Sequence, residues 1–273
     1  AFTRKAVAPV PEAGAGPEDT DTPAVHPLLG RRLQSAALLF ENTLSATYPQ
    51  LLQDHKVYGS IIVPGTAYLE MAFSAAHQLA AAMPLRLDDV RILEPMVLGD
   101  SVSAQEVQFI ALETASNNYL FRVASRADRA AWTTHVTGNF TTGEAAEASP
   151  SISELPAIQS RLVQEHAVAS FYEDILRLGL DFGPRFRCLE ALYSGPQEAL
   201  GRLAPASSAN DAQLYLFDPG LLDSCFQVLG AALPAERVRA GQVYFPVGLD
   251  RITLYRQPQG PVWCHAIHQP SEN

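Results

Sequence analysis

Apolar side chains recur at helical spacing in several stretches of the chain. From Gly65 to about Met83, apolar positions three or four residues apart predict one long helix that ends before Pro84. Its apolar positions are Tyr68, Leu69, Ala72, Phe73, Ala76, Leu79 and Ala80. We therefore expect this segment to be the central helix of the first half of the chain.

Two further helices are predicted in the second half. A stripe at spacings of three to five residues predicts a continuous helix from Ile158 to Leu178, and it consists of Leu162, His166, Phe171, Ile175 and Leu178. A third helix is predicted from Pro219 to about Ala232. Asp218 suits its N-cap, and a proline at the first helical position is typical of helix starts.

The remaining pattern is rich in strands. The chain from about His26 to Thr142 is strand-rich around the first helix, and four later stretches predict further strands: Arg187–Tyr193, Glu198–Leu203, Val243–Arg256 and Val262–Ile267. Each half thus offers one helix accompanied by several strands. This pattern predicts an α+β protein in which an antiparallel sheet wraps a helix in each half.

Two stretches are poor in large apolar side chains and predict linkers. Val7–Thr22 consists mostly of alanine, proline, glycine and acidic residues, so burial cannot offset the entropy of ordering it. We expect residues 1–25 to be a flexible interdomain linker and residues 143–156 to be a second linker. The two halves are then residues 26–142 and 157–273.

Composition narrows the classes of function. Of the 273 residues, 47% are hydrophobic and 18% are charged. The formal net charge of −10 disfavours binding to nucleic acid or to a membrane surface.

The three cysteines are too few and too scattered for a disulfide framework or a zinc site, which favours a reducing cytoplasmic setting. We also expect no membrane span and no signal peptide, and the initial alanine suggests an excised piece.

The run HKVYGSIIVPG contains a candidate base. His55 precedes the first helix by ten residues, so it should lie in a turn or at the mouth of a strand. Histidine is suited to accept a proton near neutral pH, and Gly59 permits a sharp bend or the close approach of a ligand. The alternative is that His55 is a polar loop residue. The other histidines that we considered, His26, His77 and His135, have patterns that favour structural roles.

The run DPGLLDSCFQ contains a candidate acid. Asp223 lies one turn inside the third helix, and Gln227 lies four residues later on the same face, where it can hydrogen-bond the aspartate. Leu222, Phe226 and Leu229 supply apolar surroundings that should raise the pKa of Asp223 and keep it protonated. The alternative is that Asp223 is a solvated helix residue.

Together these runs resemble the motifs of the dehydratase domains of bacterial modular type I polyketide synthases. Those motifs read HxxxGxxxxP, matched by His55, Gly59 and Pro64, and DxxxQ or DxxxH, matched by Asp223 and Gln227. Supporting matches, in order along the chain, are HPLLG from His26, WTTHVTG from Trp132, LGLDFGPRF from Leu178 and YFPVGLDRI from Tyr244.

This resemblance implies a double hot-dog fold and elimination of water from a β-hydroxyacyl thioester. The thioester would be delivered on the phosphopantetheine arm of an acyl carrier protein, with no metal and no soluble cofactor. His55 would be the base and Asp223 the acid, with Gln227, Gly59 and Pro64 in support. A backbone N–H near Gly59 would contact the thioester carbonyl. Neighbouring synthase domains and a homodimer are also expected.

The resemblance also predicts the substrate pocket, lined by Tyr58, Phe182, Gly183, Pro184, Leu222 and Phe226. Two positions depart from the family pattern, because Phe182 replaces a tyrosine and Asp218 replaces a histidine. The missing phenol could alter or reduce activity, whereas aspartate remains a good helix cap. Arg185 and Arg187 flank Phe186, and a solvated face explains them better than contact with a carrier protein.

Three other functions stay open. The domain could dehydrate its substrate and then close an oxygen heterocycle by adding a hydroxyl of the chain to the new double bond. It could be a catalytically idle spacer in a larger synthase, given the changes at Phe182 and Asp218. It could also be a thioesterase of the same fold, which would need an activated water in place of an acid.

Overall fold

The computed structural model describes residues 26–99, 104–143, 154–206, 214–233 and 245–269. The predicted linker 1–25 and most of the predicted linker 143–156 lie outside these ranges. Within them, no helix is long and apolar enough to span a membrane. The α-helices of the described residues are α1 (Gly65–Ala80), α2 (Leu155–Arg161), α3 (Val168–Arg177) and α4 (Pro219–Ala232).

The strands of the described residues are mostly short. They are β1 (Arg31–Leu33), β2 (Leu38–Leu44), β3 (His55–Val57), β4 (Ser60–Ile62), β5 (Leu85–Ile92), β6 (Val97–Leu98), β7 (Gln105–Ala115), β8 (Asn118–Arg126), β9 (Thr133–Thr141), β10 (Gln164–His166), β11 (Leu180–Phe182), β12 (Leu189–Gly195), β13 (Glu198–Leu203), β14 (Gly248–Leu254) and β15 (Val262–Ile267).

Helix α1 is the centre of the first half. Every residue from Thr66 to Ala76 is buried, as expected for a helix that is apolar on nearly all sides. It packs in one hydrophobic core with the inner face of a seven-stranded antiparallel sheet, in the order β1-β2-β7-β8-β9-β5-β14. The sheet contributes large buried side chains, among them Phe40, Phe109, Phe121 and Phe140. The predicted central helix is therefore confirmed, although it ends at Ala80, because Ala81 takes a left-handed conformation.

Helix α4 has the same place in the second half. It packs on a four-stranded antiparallel sheet in the order β10-β12-β13-β15, and the shared core includes Leu221, Val228 and Leu203. Its bounds, Pro219–Ala232, agree with the sequence prediction. The predicted arrangement of one helix and one antiparallel sheet in each half is thus present.

A third, small sheet joins the two halves. Its order is β11-β3-β4-β6, so β11 from the second half pairs antiparallel with β3 from the first. Strand β14 also crosses over and pairs antiparallel with β5 of the large sheet. The sequence pattern assigns β14 to the second half, because it is one of the last two predicted strands of the chain. That it pairs with β5 of the first half is seen only in the structure.

The predicted continuous helix from Ile158 to Leu178 is wrong. The chain forms α2 and α3 there, with the short strand β10 between them, and β10 pairs antiparallel with β12. Leu162 is buried whereas Val163 is 82% exposed, and the His166 ring contacts the Ser194 hydroxyl at 2.6 Å. The edge of β12 is open to a further strand, and residues Gln164–His166 pair with it instead of continuing the helix. This pairing outweighs the helical pattern of apolar residues, whose spacing of three to five is irregular.

The start of α4 is packed closely against the turn formed by Pro184–Phe186. A β-carbon added to Gly220 would lie 2.0 Å from the carbonyl oxygen of Arg185, which is a backbone atom and cannot move aside easily. Glycine is therefore required at this contact. At Gly230, on the same helix, no atom of the described residues outside the helix's own backbone and the two chain neighbours lies within 4 Å of such a β-carbon.

We predict opposite effects from alanine at these two helical glycines. Gly220→Ala should destabilise the protein by about 1–3 kcal/mol, because overpacking displaces backbone. Gly230→Ala should be neutral or stabilise by up to about 1 kcal/mol, since alanine favours a helix. Urea unfolding of both variants measures the difference. Equal stabilities would show that the turn and the helix do not pack as described.

Candidate active site

His55 is held in one orientation by the hairpin that carries it. It begins β3, its side chain is buried, and its Nδ1 lies 2.8 Å from the carbonyl oxygen of Ile62 at the end of β4. A carbonyl oxygen can only accept a hydrogen bond, so Nδ1 of the neutral ring carries the hydrogen. Nε2 then holds the lone pair. The predicted strand-mouth position is confirmed, and the ring is prepared to accept a proton at Nε2.

Tyr58 and Gly59 form the tight turn of this hairpin. Both have positive φ angles, 49° and 80°, as a two-residue turn between twisted strands requires. Apart from Gly59 and its two chain neighbours, no atom of the described residues lies within 4 Å of a β-carbon added to Gly59, so there is open space beside its backbone. Tyr58 is 70% exposed and its ring lies over Gly179. The structure thus places Tyr58 at the rim, and its contact with substrate stays a prediction.

Pro64 ends the same segment at the start of α1. It is the N-cap residue of this helix, and its carbonyl accepts a hydrogen bond from the Ala67 amide at 3.0 Å. The preceding residue, Val63, is fixed by a 3.0 Å hydrogen bond from its amide to the Met96 carbonyl. Pro64 therefore fixes the geometry between the hairpin of His55 and the central helix.

Two phenylalanines pack against the imidazole. Phe182 is the register partner of His55 in the β11–β3 pair, and the two rings stack at 5.2 Å between centroids. Phe186 packs on the same imidazole at 5.1 Å. Both phenylalanines are buried. The second half of the chain therefore supplies an apolar wall to the base of the first half.

The turn that carries Phe186 is attached to Asp54, the neighbour of His55. The Asp54 carbonyl accepts from the Gly183 amide at 2.7 Å, and its carboxylate accepts from the Arg185 amide at 3.2 Å. A β-carbon on Gly183 would lie 2.4 Å from the Asp54 carboxyl carbon, which explains the glycine. Pro184, also predicted for the pocket, begins the turn and is exposed.

The acid lies in the first turns of α4. Asp218 caps this helix, as predicted, because its carboxylate accepts from the amides of Gly220 at 2.8 Å and Leu221 at 3.1 Å. Asp223 follows one turn later. The predicted bond from Gln227 is present, with Nε2 donating to Oδ2 of Asp223 at 3.0 Å.

The carbonyl oxygen of Phe186 connects the acid to the base. It accepts from Gln227 Nε2 at 3.0 Å and from Ser224 Oγ at 3.1 Å, while the Phe186 ring packs on His55. Because this oxygen can only accept, it fixes which end of the Gln227 amide faces Asp223. One residue thus sets the relative positions of His55 and the helix that carries Asp223.

Burial raises the pKa of Asp223 above its ordinary value of 3.8, as the sequence predicted. The nearby His55 and the hydrogen bond from Gln227 act in the opposite direction on this pKa. Leu222 is buried in the larger core and Phe226 packs against it. Leu229 is 42% exposed, so it does not contribute to the apolar surroundings as predicted.

Two polar residues of the site were missed by sequence reasoning. Asp54 contacts a residue 131 positions away, and Ser224 reaches across to the Phe186 carbonyl. Their adjacency to His55 and Asp223 was visible in the sequence, but nothing in the sequence indicated their partners. The described ranges contain no cluster of His, Cys, Asp and Glu side chains that could hold a metal. His55 and Asp223 offer one proton acceptor and one proton donor beside the apolar rings of Phe182 and Phe186.

Two family models match the chain, one in each half. A family model described as "Polyketide synthase dehydratase domain" matches residues 26–126, and one described as "Polyketide synthase dehydratase N-terminal domain" matches residues 151–269. Polyketide synthase PksM of Bacillus subtilis is 25% identical over 88% of the chain, and component PikAII of the pikromycin synthase of Streptomyces venezuelae is 25% identical over 96%. The chain spans only 6% and 7% of these two relatives.

Solved structures extend the likeness to the fold. The dehydratase domain from the CurF module of the curacin polyketide synthase is 29% identical, with a TM-score of 0.84, covering 90% of this chain and 89% of that one. A CurK dehydratase variant with phenylalanine in place of a histidine, described as inactive, is 28% identical with a TM-score of 0.83, covering 89% of this chain and 88% of that one. The predicted double hot-dog fold is confirmed, and the chain belongs to the dehydratase domains of polyketide synthases.

Proposed function

We propose that this domain eliminates water from a β-hydroxyacyl thioester and leaves an α,β-unsaturated thioester. The observation that carries the proposal is the convergence at Phe186 of an imidazole with a free Nε2 and a carboxyl group whose pKa burial raises. A base for one proton and an acid for a leaving hydroxyl are what this elimination needs.

The proposed steps balance in protons and electrons. Nε2 of His55 removes the proton from the α-carbon, and the electron pair moves toward the thioester carbonyl. The pair then returns to form the double bond while the bond from the β-carbon to oxygen breaks. Asp223 gives its proton to the departing oxygen, which leaves as water. Transfer of the proton from His55 back to Asp223 restores both groups, so the chemistry requires no redox step.

Backbone donors would stabilise the enolate. The open space beside Gly59 would let a thioester carbonyl approach the hairpin backbone, and the N-terminus of α1 begins one residue after Pro64. Amide groups and the helix dipole favour negative charge at such a place. Tyr58, Phe182, Gly183, Pro184, Leu222 and Phe226 remain the proposed lining of the pocket.

The substrate would arrive on the phosphopantetheine arm of an acyl carrier protein. Because the relatives are long synthases of which the chain spans a small part, neighbouring synthase domains are the expected context. A homodimer in the cytoplasm is proposed on the family resemblance. No soluble cofactor or metal is proposed, since the elimination moves only protons and one carbon–oxygen bond.

The two departures from the family pattern leave the proposed base and acid in place. Asp218 caps α4 with two hydrogen bonds, and Phe182 stacks on the imidazole with its apolar ring. Ring closure after dehydration uses the same two groups, so it stays an alternative to be tested with a hydroxylated substrate. Cyclisation would leave the product mass unchanged and abolish the absorbance of the double bond.

Replacing either group should strongly reduce the rate of elimination. His55→Ala and Asp223→Asn are each expected to reduce turnover by about 10²–10⁴-fold, the usual contribution of a general acid or base. Formation of the enoyl thioester from a β-hydroxyacyl carrier protein is measured by its absorbance and by mass. Two solved variants of the CurK dehydratase, one with a histidine replaced and one with an aspartate replaced, are both described as inactive and support this expectation.

Matched variants separate this effect from general damage. His166→Ala and Asp181→Asn replace a histidine and an exposed aspartate on β10 and β11, and neither lies in the proposed machinery. Both should retain turnover within a few-fold of the parent. Full activity in His55→Ala or Asp223→Asn would contradict the assignment, and free acid as the product would indicate a thioesterase.

The raised pKa of Asp223 also predicts a pH-dependent change in stability. The unfolded aspartate ionises above about pH 4, whereas the folded one stays protonated to higher pH, so the aspartate destabilises the fold as pH rises. Asp223→Asn should therefore be more stable than the parent at pH 7, and the difference should vanish near pH 3. Chemical unfolding across this range measures it. A difference that is independent of pH would show that the fold does not raise the pKa of Asp223.

A further inference from the structure

A fully buried carboxylate lies at the middle of α1, outside the proposed catalytic pair. Glu70 is 0% exposed and accepts four hydrogen bonds. Its Oε1 accepts from His26 Nε2 at 3.1 Å, from Ser74 Oγ at 3.0 Å and from the Leu216 amide at 2.7 Å. Its Oε2 accepts from the Phe217 amide at 2.8 Å. A buried carboxylate needs such partners. Here Ser74 belongs to the same helix, whereas His26 and the Leu216 and Phe217 amides come from two distant parts of the chain.

The direction of the histidine bond is fixed by its other nitrogen. His26 Nδ1 lies 3.2 Å from the Leu28 amide and 3.1 Å from the Leu29 amide, and both amides can only donate. Nε2 of the neutral ring therefore carries the hydrogen and donates to Glu70. The carboxylate thus joins the HPLLG motif to α1.

The two backbone donors, the amides of Leu216 and Phe217, belong to the segment Tyr215–Phe217, which we call the anchored segment. Gln257 Nε2 donates to the Tyr215 carbonyl at 2.7 Å, and the His26 ring packs edge-on against the Tyr215 ring at 5.4 Å. The next residue along the chain is Asp218, the N-cap of α4. The position of the anchored segment therefore sets where the helix of the acid begins.

We propose that Glu70 is a positioning residue that fixes Asp223 relative to His55. Helix α1 begins three residues after the hairpin of His55, and Glu70 at its middle binds the anchored segment, which ends just before the N-cap of α4. A displacement of Phe217 would be transmitted to Asp223 through fewer than two turns of a rigid helix. Small displacements of a catalytic group lower turnover strongly without removing it. This inference rests on the proposed function.

Glu70→Gln tests it with the smallest change in shape. Oε1 of Glu70 accepts from the backbone N–H of Leu216 and Oε2 from that of Phe217. In glutamine one of these oxygens becomes an NH2 group, which faces a backbone N–H in either orientation and cannot accept its hydrogen bond. The anchored segment then loses one attachment. We expect kcat to fall by about 10–100-fold, with KM nearly unchanged. Faster hydrogen exchange of the amides of Leu221 and Leu222, at the start of α4, should accompany the fall.

Ser74→Ala is the matched control. Its hydroxyl bonds the same carboxylate from within α1 and does not touch the anchored segment. It should lower the melting temperature while kcat stays within about two-fold of the parent, since stability and positioning are then separated. A Glu70→Gln protein that is destabilised but keeps the parental kcat would overturn the inference.

Gln257→Ala decides the matter if Glu70→Gln does not fold. It loosens the anchored segment from outside the core, and its kcat should fall while that of Ser74→Ala does not. Equal kcat values in these two variants would overturn the inference. An inactive parent would defeat the proposed function instead. The hydrogen-exchange rates of the Leu221 and Leu222 amides would then still test the inference. Equal exchange rates in Gln257→Ala and Ser74→Ala would contradict it.

Discussion

The contact of Phe186 with both halves of the site is the interaction on which the rest depends. Its ring packs on His55 while its carbonyl oxygen accepts from Gln227 and Ser224 on the helix that carries Asp223. The turn that carries Phe186 is held in turn by Asp54, the neighbour of His55. A base and an acid that are far apart in the sequence are thereby related through short, directional contacts, and the backbone, rather than a chance approach of side chains, sets their spacing.

A second connection runs through the core of the protein. Helix α1 follows the hairpin of His55, and Glu70 at its middle binds the segment that precedes α4. Both connections join elements of different halves, as does the β11–β3 pair. The site itself opposes stability, because burial of Asp223 disfavours its ionised form. Glu70, a buried group with all its hydrogen bonds made, lies where the two halves meet. Such groups hold neighbouring elements in one arrangement, and here they keep Asp223 in position although its burial costs stability.

Local signals in the sequence predicted the parts of the structure that depend on neighbouring residues. The Asp218–Pro219 pair marks the start of α4, and the four-residue spacing predicts the bond between Gln227 and Asp223, both of which the structure contains. Features that depend on residues far away in the sequence could not be predicted from local patterns. The edge of β12 turns the predicted helix around His166 into a strand, β14 joins the other half, and Asp54 and Ser224 have partners that no spacing reveals. That the segments of His55 and Asp223 form one site was predicted only from the resemblance of their motifs to a known family.

The most direct test of the central claim is a crystal structure of the domain with a pantetheine thioester that mimics the β-hydroxyacyl substrate and cannot eliminate water. The account predicts His55 Nε2 within about 3–3.5 Å of the α-carbon, and the Asp223 carboxyl within about 2.6–3.2 Å of the β-oxygen of the same ligand. A ligand that reaches only one of these groups, or that lies in a cavity away from the Phe186 contact, would contradict it.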